Sequence, residues 1–180
     1  FQPMLGHGPA RHGLLPLRIR PRRIVIRGLR GNRQRHHERR GQLAAADGKV
    51  VVTSSGAAYG YHADNPEWLT EDDPVRGNEA FAYSHHKRLV EEMLADYRRD
   101  HPQLRQVVLR VGTILGETTR NQITALFDRP RLIALRGSKS PFVFIWDRDV
   151  VGAIEHAIFS GKEGIFNVEG DGAISIQQIA

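Results

Sequence analysis

Four side chains in this 180-residue chain have the types and spacing to move a proton while a hydride leaves the same carbon. Ser54 and Ser55 follow the β-branched run Val50-Val51-Val52-Thr53, and Tyr83 and Lys87 stand four residues apart further on. On a helix, residues i and i+4 share one face, with Cβ atoms about 5–6 Å apart. A free phenol titrates at about 10, too high for a good base at neutral pH, and a neighbouring ammonium favours the phenolate. A serine hydroxyl can hold a substrate oxygen in line for proton transfer, so the set suits the oxidation of a secondary alcohol or the reverse. Tyr-x-x-x-Lys alone is a weak signal, since a core-facing tyrosine with a solvated lysine one turn on looks the same. Context strengthens it: an apolar strand, the serine pair, Ala57-Ala58-Tyr59-Gly60, a loop, then the pair on a helix.

The elements that must position these groups begin near residue 42. Leu43 to Ala46 reads as the end of a helix and Asp47-Gly48 as the turn after it. Lys49 to Thr53 is apolar on both faces, as a strand inside a parallel sheet would be. Residues 60–78, rich in Asp, Pro, Asn and Gly, read as a long loop of the kind that shapes sites on α/β scaffolds. Glu79 to about Asp100 carries the helical period, with His86, Leu89, Val90, Met93, Leu94 and Tyr97 along one face, and His101-Pro102 ends it. Gln106 to Val111 reads as a second buried strand closing on Gly112. A short helix over 121–127, short strands over 131–135 and 142–145, and a helix over 149–159 with Val150, Val151, Ile154, Ala157 and Ile158 inward follow. Gly164 to Val168 is a further strand, and Ser175 has the character of an N-cap. Strands alternating with helices predict an α/β unit around a parallel sheet, with ligands outside the carboxyl ends of its strands.

Composition divides the chain in two. Residues 1–41 hold eleven Arg, no Lys and one acidic residue, Glu38, so the net charge of +6 belongs to this arm. From residue 42 on, acidic side chains outnumber Lys and Arg by four. One reading of the arm is a nucleic-acid-binding tract, since clustered Arg neutralises phosphates. The other is a stretch translated out of frame, which the Arg-only basic set and scattered Gly, Pro and His favour; the opening on Phe1, with Met4 as first methionine, suggests a partial reading frame. With no cysteine there is no disulfide and no thiolate ligand or nucleophile. No apolar run approaches the roughly 20 residues of a membrane span, nor does the start resemble a secretion signal. A cytoplasmic location is the expectation.

The stretches VVVTSSGAAYG at 50–60, YSHHK at 83–87, VVLRVGTILG at 107–116, FVFIWDRDVVGAI at 142–154 and GIFNVEGD at 164–171 together resemble the extended short-chain dehydrogenase/reductase superfamily. The likeness is to its NAD-dependent epimerase/dehydratase branch and covers about 43–180. It implies a partial Rossmann-like, doubly wound parallel sheet with part of a small substrate lobe. By the same resemblance Ser55, Tyr83 and Lys87 are catalytic, with Thr53 and Ser54 beside them. Lys87 and Tyr83 would face the nicotinamide ribose, and Val111, Gly112 and Thr113 the nicotinamide, although the family often has Pro where Val111 stands. NAD or NADP is the implied cofactor and a small molecule, a nucleotide sugar among the candidates, the implied substrate. A homo-oligomer is compatible with the family.

Two features depart from it. The chain contains no G-x-G-x-x-G or G-x-x-G-x-x-G, the turn whose backbone holds the pyrophosphate. Ser55 has 54 residues before it, fewer than the family places there. The resemblance therefore implies a fragment with impaired cofactor binding. The other readings are a non-catalytic, partner-binding module and nucleic-acid binding through residues 1–41. Of the remaining residues, Asp149 reads as a helix cap. His85 and His86 point about 100° apart on a helix and suit packing or solvation better than a shared metal. Trp68 and Trp146 read as a loop anchor and a core residue.

Overall fold

Parallel pairing of three apolar runs organises the molecule, seen in a computed structural model that describes residues 48–121, 124–127 and 141–179. β1 (Lys49–Ser55), β2 (Arg105–Val111) and β6 (Gly164–Val168) lie in the order β1-β2-β6, with Val51 opposite Val107 and Val111 opposite Val168. Helix α1 (Ala82–Asp100) connects β1 to β2. Short strands β3 (Thr113–Leu115) and β5 (Phe144–Trp146) pair in parallel, while β4 (Pro141–Phe142) and β7 (Ile174–Ser175) pair antiparallel. A short helix α2 (Thr124–Phe127), the long helix α3 (Asp147–Phe159) and a last turn α4 (Ile176–Ile179) complete the described chain.

Alternation along a strand sends odd and even positions to opposite faces of a sheet. The odd residues Val107, Leu109 and Val111 of β2 join Val168, Ile145 and α3 residues Val150, Ala153 and Ala157 in the main apolar core. The even residues Gln106 and Arg110, with Ser54 of β1 and Asn167 of β6, are buried and polar. Ser54, Gln106 and Arg110 bond side chains of α1, so the sheet is covered by a helix on each face: one contact apolar, the other, where Val108 is also buried, largely polar. The partial doubly wound parallel sheet expected from the sequence is what forms.

α1 starts three residues later than its period suggests, at Ala82, and ends with Arg98 and Arg99 in its last turn, where the helix dipole favours cations. Its orientation corrects the sequence expectation. Leu89, Val90, Met93 and Tyr97 lie exposed on its outer side, Met93 at 61%, while Ser84 and Glu91 are its buried residues. α3 behaves partly the same way: Val150, Ala157 and the half-buried Ile154 turn inward as expected and Ala153 joins them, but Val151 and Ile158 face out. Trp146, expected in the core, is 56% exposed. Asp149 sits exposed in the first turn of α3 without a capping bond, whereas Asp147 Oδ1 accepts the Arg148 amide. At Ser175 it is Gln178 that supplies the acceptor: the Ser175 amide and hydroxyl both donate to Gln178 Oε1, at 2.8 and 2.9 Å, so the serine hydroxyl acts as a donor rather than as the expected cap.

The run expected as one strand at 142–145 is split between β4 and β5, because Phe142 pairs with Ile174 while Phe144 and Ile145 pair with Thr113 and Ile114. The arm at 1–41, the helix end at 43–46 and the strand at 131–135 lie outside the described residues. Among the described residues no helix is long and apolar enough to cross a membrane.

Candidate active site

Ser55 ends β1, and the first turns of α1 bring Tyr83 and Lys87 to the same strand end. β1 runs out at Ser55, whose extended backbone lets its Oγ accept the Ala57 amide at 3.2 Å and so start a 3₁₀ turn over Gly56–Tyr59. Because the chain reverses after β1, α1 descends antiparallel to the strands and its first turn, with Tyr83, lies level with Ser55. Ser84 fastens that turn: its hydroxyl, fully buried, donates to the Ala57 carbonyl at 2.6 Å. The 60–78 loop closes over the same place. Gly77 donates to the Ala58 carbonyl, and Asn78 Oδ1 accepts the Tyr61 amide at 2.7 Å.

Tyr83 is 49% exposed on the rim. The Lys87 ammonium lies 5.7 Å from the centre of its ring and donates to the Thr53 carbonyl at 3.2 Å. Phenol, ammonium and serine-bearing strand end therefore occupy one neighbourhood. Phe81 stands between Tyr83 and Tyr61, with ring centres 6.2 Å apart for Phe81–Tyr83 and 5.9 Å for Tyr61–Phe81. Burial, and then the phenol of Tyr83, pushes the Tyr61 hydroxyl's pKa up, so Tyr61 stays neutral beside it.

The residues expected along the nicotinamide divide. Thr53 is exposed and Thr113 half-buried. Ser54 is buried and its hydroxyl donates to Glu91 Oε1 at 2.6 Å, so its side chain turns to the underside of α1. Val111 puts its side chain in the main core, leaving its backbone at the site. Gly112 donates to the Val168 carbonyl at 3.0 Å, and a Cβ there would stand 3.1 Å from the Val143 carbonyl oxygen, so glycine lets these strands close up. An exposed threonine, a lysine at a strand end and a glycine turn fit the nicotinamide end of a dinucleotide. The His85–His86 rings lie 5.8 Å apart, and among the described residues no cluster of three His, Cys, Asp or Glu forms.

Sequence reasoning missed a buried charge system directly beneath this rim. Arg110 binds both oxygens of Glu91, with Nη2–Oε2 at 2.7 Å, Nε–Oε1 at 3.1 Å and Nε–Oε2 at 2.9 Å, and its Nη1 donates to the Tyr59 hydroxyl at 2.6 Å. The Tyr59 proton is shared between the Thr70 carbonyl and Asn167 Oδ1, both at 2.8 Å. Burial works against the Arg110 charge, but the Glu91 hydrogen bonds and charge outweigh it and shift its pKa upward. Burial likewise pushes Tyr59 up to about 12, against the pull of Arg110. At the end of β6, burial and then Glu71 push the Glu169 carboxyl up to about 8, and Glu169 Oε2 is buried without a hydrogen bond. The available signal was an arginine and a glutamine alternating with valines in a strand read as buried: such a position requires an acid opposite.

Residues 38–168 match the NAD dependent epimerase/dehydratase family. An uncharacterised protein of Mycobacterium tuberculosis strain H37Rv is 24% identical over 137 residues, covering 76% of this chain and 36% of the relative. MoeE5 in complex with UDP-glucuronic acid and NAD superposes with a TM-score of 0.57 at 26% identity, over 78% of this chain and 48% of that one. UDP-glucose 4-epimerase of Thermotoga maritima with UDP-glucose gives 0.59 at 20% identity, over 78% and 48%. A dTDP-glucose 4,6-dehydratase of Bacillus anthracis in complex with NAD gives 0.59 at 17%, over 73% and 43%. The chain thus spans about a third of its curated relatives and less than half of these solved structures. Its parallel sheet is the Rossmann-like sheet of these enzymes, and the chain belongs to the NAD dependent epimerase/dehydratase family.

Proposed function

We propose that this chain carries the proton-transfer centre of an NAD(P)-dependent epimerase, dehydratase or oxidoreductase acting on a secondary alcohol or ketone, with nucleotide sugars as the substrate class. The observation that carries the reading is the placement of Lys87 between the Thr53 carbonyl and the Tyr83 ring, at the strand end that bears Ser55. The substrates and cofactor of MoeE5 and the two sugar-nucleotide enzymes support the class.

When bound, NAD(P) supplies the hydride acceptor. The rest is the work of this chain. Ser55 orients the substrate oxygen, and the Tyr83 phenolate takes the hydroxyl proton as the carbinol C–H bond gives up its electron pair. Lys87 stabilises the phenolate by its charge and would hold the ribose hydroxyls. Thr53, Gly112 and Thr113 would border the nicotinamide, with Ser54 and Val111 contributing backbone.

Binding of NAD(H) and NADP(H) to the purified 180-residue chain tests this. Saturable binding that Lys87→Ala weakens by about tenfold, the cost of one charge-assisted hydrogen bond, while Tyr83→Phe leaves affinity intact and removes turnover, is the expected pattern. No binding at millimolar cofactor to a folded chain sinks the reading. A second reading, a non-catalytic module that binds a partner, is favoured by one observation: the exposed apolar side of α1.

A further inference from the structure

Every residue of the proposed centre adjoins a member of the buried network beneath it. Ser54, bonded to Glu91, precedes Ser55; Tyr59, bonded to Arg110, ends the turn that Ser55 starts. Glu91 lies one helical turn beyond Lys87 and two beyond Tyr83, and Arg110 immediately precedes Val111. Arg110 and Glu91 are 3% and 5% exposed. The guanidinium also stacks 4.5 Å from the Tyr59 ring centre and donates to the Glu71 carbonyl at 3.3 Å. Through Tyr59 the network reaches Asn167, whose amide donates to Glu71 Oε1 at 2.9 Å.

Stability alone does not call for such a pair. Removing two charges from water is costly, and apolar side chains of similar volume often serve a core as well or better. What a guanidinium–carboxylate fork adds is direction: two parallel hydrogen bonds fix distance and angle, where apolar contacts tolerate rotation and sliding. α1 needs this. Its two buried residues, Ser84 and Glu91, are polar, and of its larger apolar side chains Leu89, Val90, Met93 and Tyr97 lie exposed while Leu94 is half-buried, so hydrophobic packing sets its register on the sheet only weakly. A shift of one turn, about 5.4 Å, would carry Tyr83 and Lys87 away from Ser55.

We propose that the Glu91–Arg110 pair is a positioning device: it fixes the first turns of α1 and the ends of β1 and β2 so that Ser55, Tyr83, Lys87 and the Val111–Thr113 turn hold their spacing. It acts through those residues and touches neither substrate nor cofactor. The proposal rests on the function proposed above, and its test is separable from it.

The test compares the full chain with the double variant Glu91→Leu/Arg110→Met, which removes both charges at similar volume, and with Arg110→Lys, which keeps the charge and loses the fork. Three quantities are read: the thermal midpoint, amide hydrogen exchange at Ala57, whose N–H rests on Ser55 Oγ, and the NMR signal of the Lys87 ammonium on the Thr53 carbonyl. The expected result is a double variant that melts close to the parent while Ala57 exchanges at least roughly tenfold faster, reporting local opening without global loss, and the ammonium signal broadens. Arg110→Lys shows the same local loosening. A folded double variant with Ala57 and Lys87 unchanged overturns the proposal, and so does one that fails to fold, since the pair would then be serving stability. A parent chain that binds no cofactor refutes the proposed function alone, because exchange and ammonium signals need no ligand.

Discussion

Among single residues Glu169 makes the sharpest demand on solution behaviour. Its folded carboxyl is raised from 4.5 to about 8, by burial first and Glu71 second. Below pH 4.5 both folded and unfolded chains hold the proton, so Glu169 leaves stability unaffected. Between 4.5 and about 8 the folded chain keeps a proton that the unfolded chain has released. Stability then falls as pH rises, by up to about 1.4 kcal/mol per pH unit, less where solvent screens the group. Above about 8 the slope disappears, since both states are ionised. Urea melts at several pH values are expected to show this decline, and Glu169→Gln is expected to flatten it. A decline that survives the substitution would assign it to another group. Residues of this kind are the ones the sequence conceals: Glu169 is an ordinary acid in a turn until the fold buries it near Glu71.

At the scale of elements, the turn after β1 depends on two glycines that face each other. Gly60 has φ +82° and ψ +159°, a region open to glycine almost alone, and an added Cβ would stand 2.5 Å from the Gly77 carbonyl oxygen. Gly77 has φ +57° and donates to the Ala58 carbonyl at 2.9 Å, fastening the long loop to the turn that holds Ser55. Gly60→Ala is expected to cost roughly 1–3 kcal/mol in a urea melt, whereas Gly161→Ala, with nothing within 4 Å, is expected to be near neutral. Equal effects would mean that the Gly60 turn relaxes freely. The elements themselves were readable where one signal dominates. The Val50–Val52 and Val107–Leu109 runs gave two strands, and the period from His86 to Tyr97 gave α1. The side α1 presents was not readable by that rule, which puts apolar residues inward. Here Ser84, Lys87 and Glu91 make the inward bonds because the facing strand positions, Ser54 and Arg110, are polar too. β3 escaped detection because three residues carry no period, and its partner β5 lies about thirty residues away.

For the molecule as a whole, that inversion leaves a consequence on the surface. Leu89, Val90, Met93 and Tyr97 form one stripe down the outside of α1, each more than a third exposed. Among the described residues β1 pairs on one side only, with β2, and its other side has no ladder partner among them. An apolar stripe and a strand edge without a partner both favour association. Fully burying a side chain such as Val or Met is worth about 1.5–3 kcal/mol, so even half of that from several residues is enough to hold a weak complex. Sedimentation of the 180-residue chain over a range of concentrations is expected to show reversible self-association. The Val90→Lys/Met93→Lys variant is expected to stay monomeric at the same concentrations with an unchanged thermal midpoint, because neither residue contributes to the inward face of α1. Association that persists in this variant would move the contact to the β1 edge. A parent chain that is monomeric throughout would mean the stripe is simply tolerated in water, and with it would go the observation that favours a partner-binding module. Cofactor binding measured on parent and variant side by side then separates the two readings of function: the catalytic one requires it to survive the loss of the stripe, since neither Val90 nor Met93 takes part in the Lys87 contacts with the Thr53 carbonyl and the Tyr83 ring.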